Sequence, residues 1–200
     1  MSVALRGFSD RLRRGEIFSQ RVFNDLEGMG FVVDRNGQEY QHKRLLDNLR
    51  SSIDPGSLSI RFQPDAIINA GPGTATWYIE VKDSDKIERL AYENYMRLCQ
   101  LGCVVVCVLA REDSMTKQRT IRWQFVPEIV FIDSQLYVNL FPHPFPVVDG
   151  WITPRASCFW HKIKWDNEQG SGTPYRVVDM TKTRSWASFR DVYNEQLRRG

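Results

Sequence analysis

Arg61-Phe62-Gln63-Pro64-Asp65-Ala66-Ile67-Ile68-Asn69 and, seven residues later, Trp77-Tyr78-Ile79-Glu80-Val81-Lys82 decide how this chain reads. Gly71, Pro72 and Gly73 punctuate the interval. The flanking runs are β-branched and aromatic, which predicts two short strands joined by a turn. Three charged residues, Asp65, Glu80 and Lys82, interrupt this apolar hairpin. Charge enters such strands at a high desolvation cost unless something pairs with it. Glu80 and Lys82 are two positions apart, so they leave one face of their strand together with Tyr78, while Ile79 and Val81 point the other way. Asp65 meets them from the neighbouring strand.

Two converging carboxylates repel each other unless a cation lies between them. Hard oxygen ligands with room for water suit Mg²⁺ or Mn²⁺. An ammonium beside them could orient or deprotonate a bound water, or neutralise charge on a phosphate. These parts together make a phosphodiester hydrolysis site. The plainer account is a turn aspartate and an exposed ion pair on an edge strand, worth less than about 1 kcal/mol.

Pro64-Asp65, fourteen residues, then Glu80-Val81-Lys82 resembles the signature of the PD-(D/E)xK nuclease superfamily, which includes restriction endonucleases and Holliday junction resolvases. The resemblance spans residues 14 to 110. It implies an α/β fold with a restriction-endonuclease-like αβββαβ core, a mixed sheet flanked by helices. It implies a DNA endonuclease dependent on Mg²⁺, with Mn²⁺ substituting. Asp65 and Glu80 would ligate the metal, the Val81 carbonyl would add a third oxygen, and Lys82 would position the attacking water. Such nucleases also carry an acid on the helix before the hairpin. Glu16, Asp25 and Glu27 are the candidates here, with Gln20 as a neutral substitute. Glu16 is preferred, although the helix dipole by itself favours a carboxylate at that position. From the following helix, Lys86 and Tyr92 are candidates for the site; a solvated face is the plainer role for them. Branched or junction DNA is the substrate expected by analogy with resolvases, and a homodimer would cut two strands. The competing expectation is a catalytically silent nucleic-acid-binding or assembly module on the same fold.

Around this centre, Phe18, Val22, Leu26 and Met29 recur at helical spacing and predict a helix over 16–29. Residues 1–14 are basic and read as a frayed terminus or a DNA-backbone arm. A strand is expected at 31–33 and a helix at 40–50, where the lone His42 reads as a surface residue. Ile60 and Phe62 alternate with Arg61 and Gln63, so the hairpin is expected to start at Ser59. Asp85 with Glu88 fits a capping pattern for a helix over 86–101. Cys103 to Ala110 is continuously apolar, the mark of a strand buried on both faces, and a helix leading into it implies a parallel crossover. Strands follow at 121–126 and 129–133.

Pro142, Pro144 and Pro146 bar helix and interior strand from 141–146. That break divides a nuclease core, 1–140, from a C-terminal extension, 141–200. The extension is expected to be β-rich, with strands at 159–165 and 175–178. Ser185 would cap a last helix whose stripe is Trp186, Phe189, Tyr193 and Leu197. Bases interleaved with aromatics can hold a nucleic-acid backbone. Arg155, Lys162, Lys164, Lys182 and Arg184 are the expected contacts there, with Lys86 on the core.

Net charge is +3, sequence pI about 8.7 and 42% of the 200 residues are hydrophobic. That balance suits a packed interior and is compatible with DNA without requiring it. No run is long enough to span a membrane. Arg6, Asp10, Arg11, Arg13 and Arg14 break up any signal-peptide core. A bacterial or viral (phage) protein in the cytoplasm is expected. The four cysteines form no Cys-x-x-Cys pair, so reduced thiols are expected and a zinc site is not.

Overall fold

A computed structural model describes residues 3–36, 54–113, 115–129 and 175–198. The chain opens with helix α1 (Val3–Gly28) and strand β1 (Val32–Arg35), then a short helix α2 (Pro55–Arg61). Strands β2 (Ala66–Asn69), β3 (Trp77–Lys82) and β4 (Lys86–Glu88) lead to helix α3 (Arg89–Gln100). Strands β5 (Val104–Glu112), β6 (Arg119–Phe125), β7 (Tyr175–Val177) and β8 (Arg184–Ser185) and helix α4 (Phe189–Leu197) complete it.

Six strands form one mixed sheet in the order β1-β2-β3-β5-β6-β8. The β3–β5 pair is parallel, with α3 as its crossover, and the other pairs are antiparallel. The αβββαβ order expected from sequence is present. β4 leaves the main sheet and pairs with β7 instead.

β5 explains the two-sided burial. Val106, Val108 and Ala110 join Ile79 and Val81 in a cluster closed by Phe18, Val22 and Leu26 of α1 and Phe189 and Tyr193 of α4. Val105, Cys107 and Leu109 point the other way, into a second cluster with Ala91, Tyr92, Tyr95 and Met96 of α3. Alternate side chains of one strand thus serve two cores, which a continuous apolar run requires.

The structure differs from the sequence reading in several places; Ser185, expected to cap the last helix, makes no side-chain cap, and α4 starts at Phe189. α1 begins at Val3, so the basic lead-in is helical. Residues 55–61 are helix, because Asp54 accepts a hydrogen bond from the Ser57 N–H at 2.9 Å and starts a turn that the local alternation did not reveal. Lys86–Glu88 is strand, held by β7, and α3 starts at Arg89 with Glu88 making no side-chain cap. After β6, Val126–Glu128 is a single 3₁₀ turn started by Pro127. The expected elements at 40–50 and 159–165, most of 129–133 and the proline segment 141–146 lie outside the described residues.

The described part of the C-terminal segment is built into the core. β8 extends the main sheet beside β6. Trp77 meets Tyr193 edge-on at 4.7 Å and Phe189 at 5.8 Å between ring centroids. The Tyr193 hydroxyl donates to the Ala75 carbonyl at 2.5 Å, tying α4 to the turn before β3. Phe189→Ala is expected to cost about 3–5 kcal/mol of stability, read as a lower urea midpoint at unchanged slope. A loss below about 1 kcal/mol would mean that α4 is peripheral.

Candidate active site

β2 and β3 pair with Ala66 opposite Ile79 and Ile67 opposite Tyr78. One step further along that register, Asp65 stands across from Glu80. Asp65 is fixed on both sides. Its carbonyl accepts from the Asn36 N–H at 2.8 Å, continuing the β1 ladder. Its carboxylate Oδ2 accepts from the Val81 N–H at 2.7 Å. Pro64, buried just before it, has no N–H to offer a ladder.

Glu80 is 2% exposed, facing α3 from the centre of the sheet. Its Oε1 lies 2.5 Å from Lys82 Nζ. Its Oε2 is buried with no hydrogen-bond partner among the described residues. Burial opposes the charge on Lys82, but the Glu80 and Asp65 carboxylates outweigh it and hold the lysine above its ordinary pKa. Lys82 is therefore an ammonium here. The same-face placement of Glu80 and Lys82 follows from strand alternation, as expected.

Tyr95 is a member of the site that sequence reasoning missed. The sequence by itself shows it only as one more aromatic residue of the helix that follows the hairpin. Its buried phenol donates a hydrogen bond to Glu80. Burial first, and then the Glu80 and Asp65 carboxylates, push its pKa well above the usual tyrosine value. Cys107, paired with Glu80 across β3–β5, is likewise pushed up by burial and by the Glu80 charge. The β3–β5 register places Cys107 beside Glu80, and the way α3 lies over the sheet places Tyr95 there.

The acid expected from α1 does not join Asp65 and Glu80. No group of three or more His, Cys, Asp or Glu side chains able to hold a metal occurs among the described residues. Glu16 is exposed. It precedes Phe18 by two residues, which places it about 160° round the helix from the side chain that packs on the sheet. Asp25 accepts from Trp186 Nε1 at 3.1 Å, Glu27 pairs with Arg35 at 3.6 Å, and Gln20 accepts from Arg35 at 2.6 Å.

The expected nucleic-acid contacts divide. Lys86 is half-buried on β4, and Lys182 is exposed and 3.6 Å from Asp179. Tyr92 is buried and donates to the Ile129 carbonyl at 2.7 Å, a packing role. Arg184, expected to face nucleic acid, is drawn inward. Its guanidinium pairs with Glu128, bonds Gln124 and lies 5.1 Å from the Trp123 and Phe125 ring centroids. Arg155, Lys162 and Lys164 lie outside the described residues, as does His42.

Two carboxylates from adjacent strands, one with an orphaned buried oxygen, suit a hard divalent cation. Asp65 and Glu80 would hold it, with the Val81 carbonyl beside them. No family model and no curated protein matches the chain. Among solved structures it is similar to Hjc, a Holliday junction resolvase from Archaeoglobus fulgidus. Identity is 11%, the match covers 88% of this chain and 99% of that one, and the TM-score is 0.44. It is also similar to D212, a nuclease from a fusellovirus, at 12% identity, 98% and 94% coverage and a TM-score of 0.38. At that level of likeness the functional reading rests on the geometry of the site.

Removing Arg184 would strand a buried carboxylate. Arg184→Met should cost about 3 kcal/mol or more in urea unfolding while leaving DNA affinity of the folded protein unchanged. A stable variant with weakened DNA binding would return Arg184 to the nucleic-acid surface.

Proposed function

We propose that this protein is a metal-dependent DNA endonuclease that hydrolyses phosphodiester bonds. The observation that carries the reading is the Glu80 carboxylate: buried, one oxygen on Lys82, the other without a partner among the described residues, opposite Asp65 across the β2–β3 pair. A fold has no use for a buried half-satisfied carboxylate, since an apolar residue there would cost less. Mg²⁺, with Mn²⁺ as substitute, would supply a bound water of lowered pKa and neutralise charge developing on the phosphate. Among the chain's own groups, Asp65 and Glu80 present the oxygens that bind the ion. The Lys82 ammonium lies where it can orient the attacking water and attract the scissile phosphate. The Tyr95 hydroxyl holds the Glu80 carboxylate in place.

Branched DNA, a four-way junction above all, is the preferred substrate in this proposal. No separate base-reading domain stands among the described residues, which favours recognition of shape over sequence. Cutting both strands of a junction takes two sites, so a homodimer belongs to the same proposal.

The test is a cleavage panel of linear, nicked, single-stranded and four-way DNA with Mg²⁺, with Mn²⁺ and with chelator. Wild-type protein should cut only with a divalent ion, and four-way DNA fastest. Asp65→Ala, Glu80→Ala and Lys82→Ala should each reduce cutting to background while circular dichroism stays native. Cutting at the wild-type rate by any of the three removes that residue from the site. Metal-independent DNA binding with no cleavage by wild-type protein would establish the silent module instead.

Tyr95→Phe keeps the ring and deletes the hydroxyl. It should lower the cleavage rate about 10- to 100-fold, as loss of a group that orients a metal ligand does, and raise the Mg²⁺ concentration needed for half-maximal rate. An unchanged metal dependence would confine Tyr95 to packing.

A further inference from the structure

Arg14, Phe18 and Arg21 lie on one side of α1, since Arg14 and Arg21 stand about 40° and 60° round the helix from Phe18. Phe18 is buried against the sheet; the two arginines are exposed and have no ion pair among the described residues. Arg119, on β6, places its guanidinium carbon 4.3 Å from the centroid of the Phe18 ring. Arg119 therefore lies on the Phe18 ring, and Arg14 and Arg21 extend from the same side of α1. Burial, and then the charges of Arg21 and Arg14, pull Arg119 below the ordinary arginine pKa. Arg119 Nε is buried without a hydrogen-bond partner among the described residues.

Arg119 pairs with the Asp83 carboxylate. Asp83 is the residue after Lys82, in the bend that follows β3, and its carboxylate meets Arg119, which stacks on Phe18 of α1. The arginines thus sit at the end of the sheet where β3 delivers Glu80 and Lys82, just round its edge. Like charges held together cost stability, and a ring contact with Phe18 recovers only about 1 kcal/mol. A bound phosphate would repay the rest. Arginine, with its planar fork of donors, is the side chain best suited to that group.

We infer that Arg14, Arg21 and Arg119 form a cradle for the DNA backbone, holding phosphates beside the scissile one. This deepens the nuclease reading and rests on it for the identity of the anion. The cradle lies on α1 and β6, apart from the C-terminal bases that the sequence alone pointed to, and it recognises backbone rather than bases.

The experiment is fluorescence anisotropy with labelled duplex and four-way DNA in chelator, over a series of salt concentrations. Each lost phosphate contact lowers the slope of log affinity against log salt by about 0.9. The double variant Arg14→Gln/Arg21→Gln should bind more weakly at low salt, with the slope reduced by about 2. Arg14→Lys/Arg21→Lys, which keeps the charge, should keep the slope. Affinity and slope unchanged in the glutamine variant would overturn the cradle. The two readings fail separately. Metal-dependent cleavage by wild-type protein with an unchanged slope sinks the cradle alone. A reduced slope in a protein that never cleaves supports the cradle and sinks the nuclease.

Discussion

The hydrogen bond from the Val81 N–H to Asp65 Oδ2 joins the ends of the two strands on which the site is built. A backbone donor on β3 is normally spent on a carbonyl of β2. Here a side chain takes it, at the point where Pro64 ends the ladder. The consequence is mechanical. Asp65 is clamped between the Asn36 N–H on one side and the Val81 N–H on the other, so its carboxylate cannot swing away from Glu80. Two repelling acids are held in place by backbone groups that the sheet has already fixed. The opposition of Asp65 and Glu80 is therefore a property of the register, and a one-residue slip would send every side chain of β3 to the other face.

Glu80 shows why such a site is expensive. A buried carboxylate loses its hydration, and the ion pair with Lys82 recovers that loss only when the remaining lone pairs are also satisfied. Oε2 has no hydrogen-bond partner among the described residues. Tyr95 adds a donor from α3, and Lys82 stays charged because two acids surround it. The group is poised rather than content. Strain of this kind survives only where surrounding packing over-determines the geometry. The two clusters on either side of β3 and β5 provide that packing: α1 and α4 below, α3 above.

Much of this was legible in the sequence, for reasons that differ residue by residue. Strand alternation is a strict rule, so Glu80 with Lys82 on one face and Ile79 with Val81 on the other could be read directly. The continuous run of β5 announced burial on both sides. Tyr95 was unreadable as a site residue because its place depends on how α3 lies over the sheet, which no local pattern encodes. Glu16 went wrong for a related reason. The resemblance implies an acid on this helix and Glu16 stands near its expected start, but helix phase turns it away from the sheet that Phe18 contacts. β4 was mistaken for helix because its pairing partner, β7, is almost ninety residues away in sequence. Arg184 looked like a surface base because Glu128, which draws it inward, also comes from a distant segment.

The same helix phase that removes Glu16 from the acids delivers Arg14 and Arg21 to the Phe18 side. α1 therefore does two things with one stripe. Phe18, Val22 and Leu26 close the core beneath β3, and the residues flanking Phe18 carry charge to the rim of the sheet. Asp83 links the two faces. It follows Lys82 by one residue, in the bend beyond β3, and pairs with Arg119. A displacement of β3 along its axis would move Glu80 and Lys82 and pull Asp83 against Arg119, which β6 holds. Asp83 thus ties the end of β3, which carries Glu80 and Lys82, to Arg119 of β6, a link that a site needs if it is to grip a backbone and place one of its phosphates against a metal.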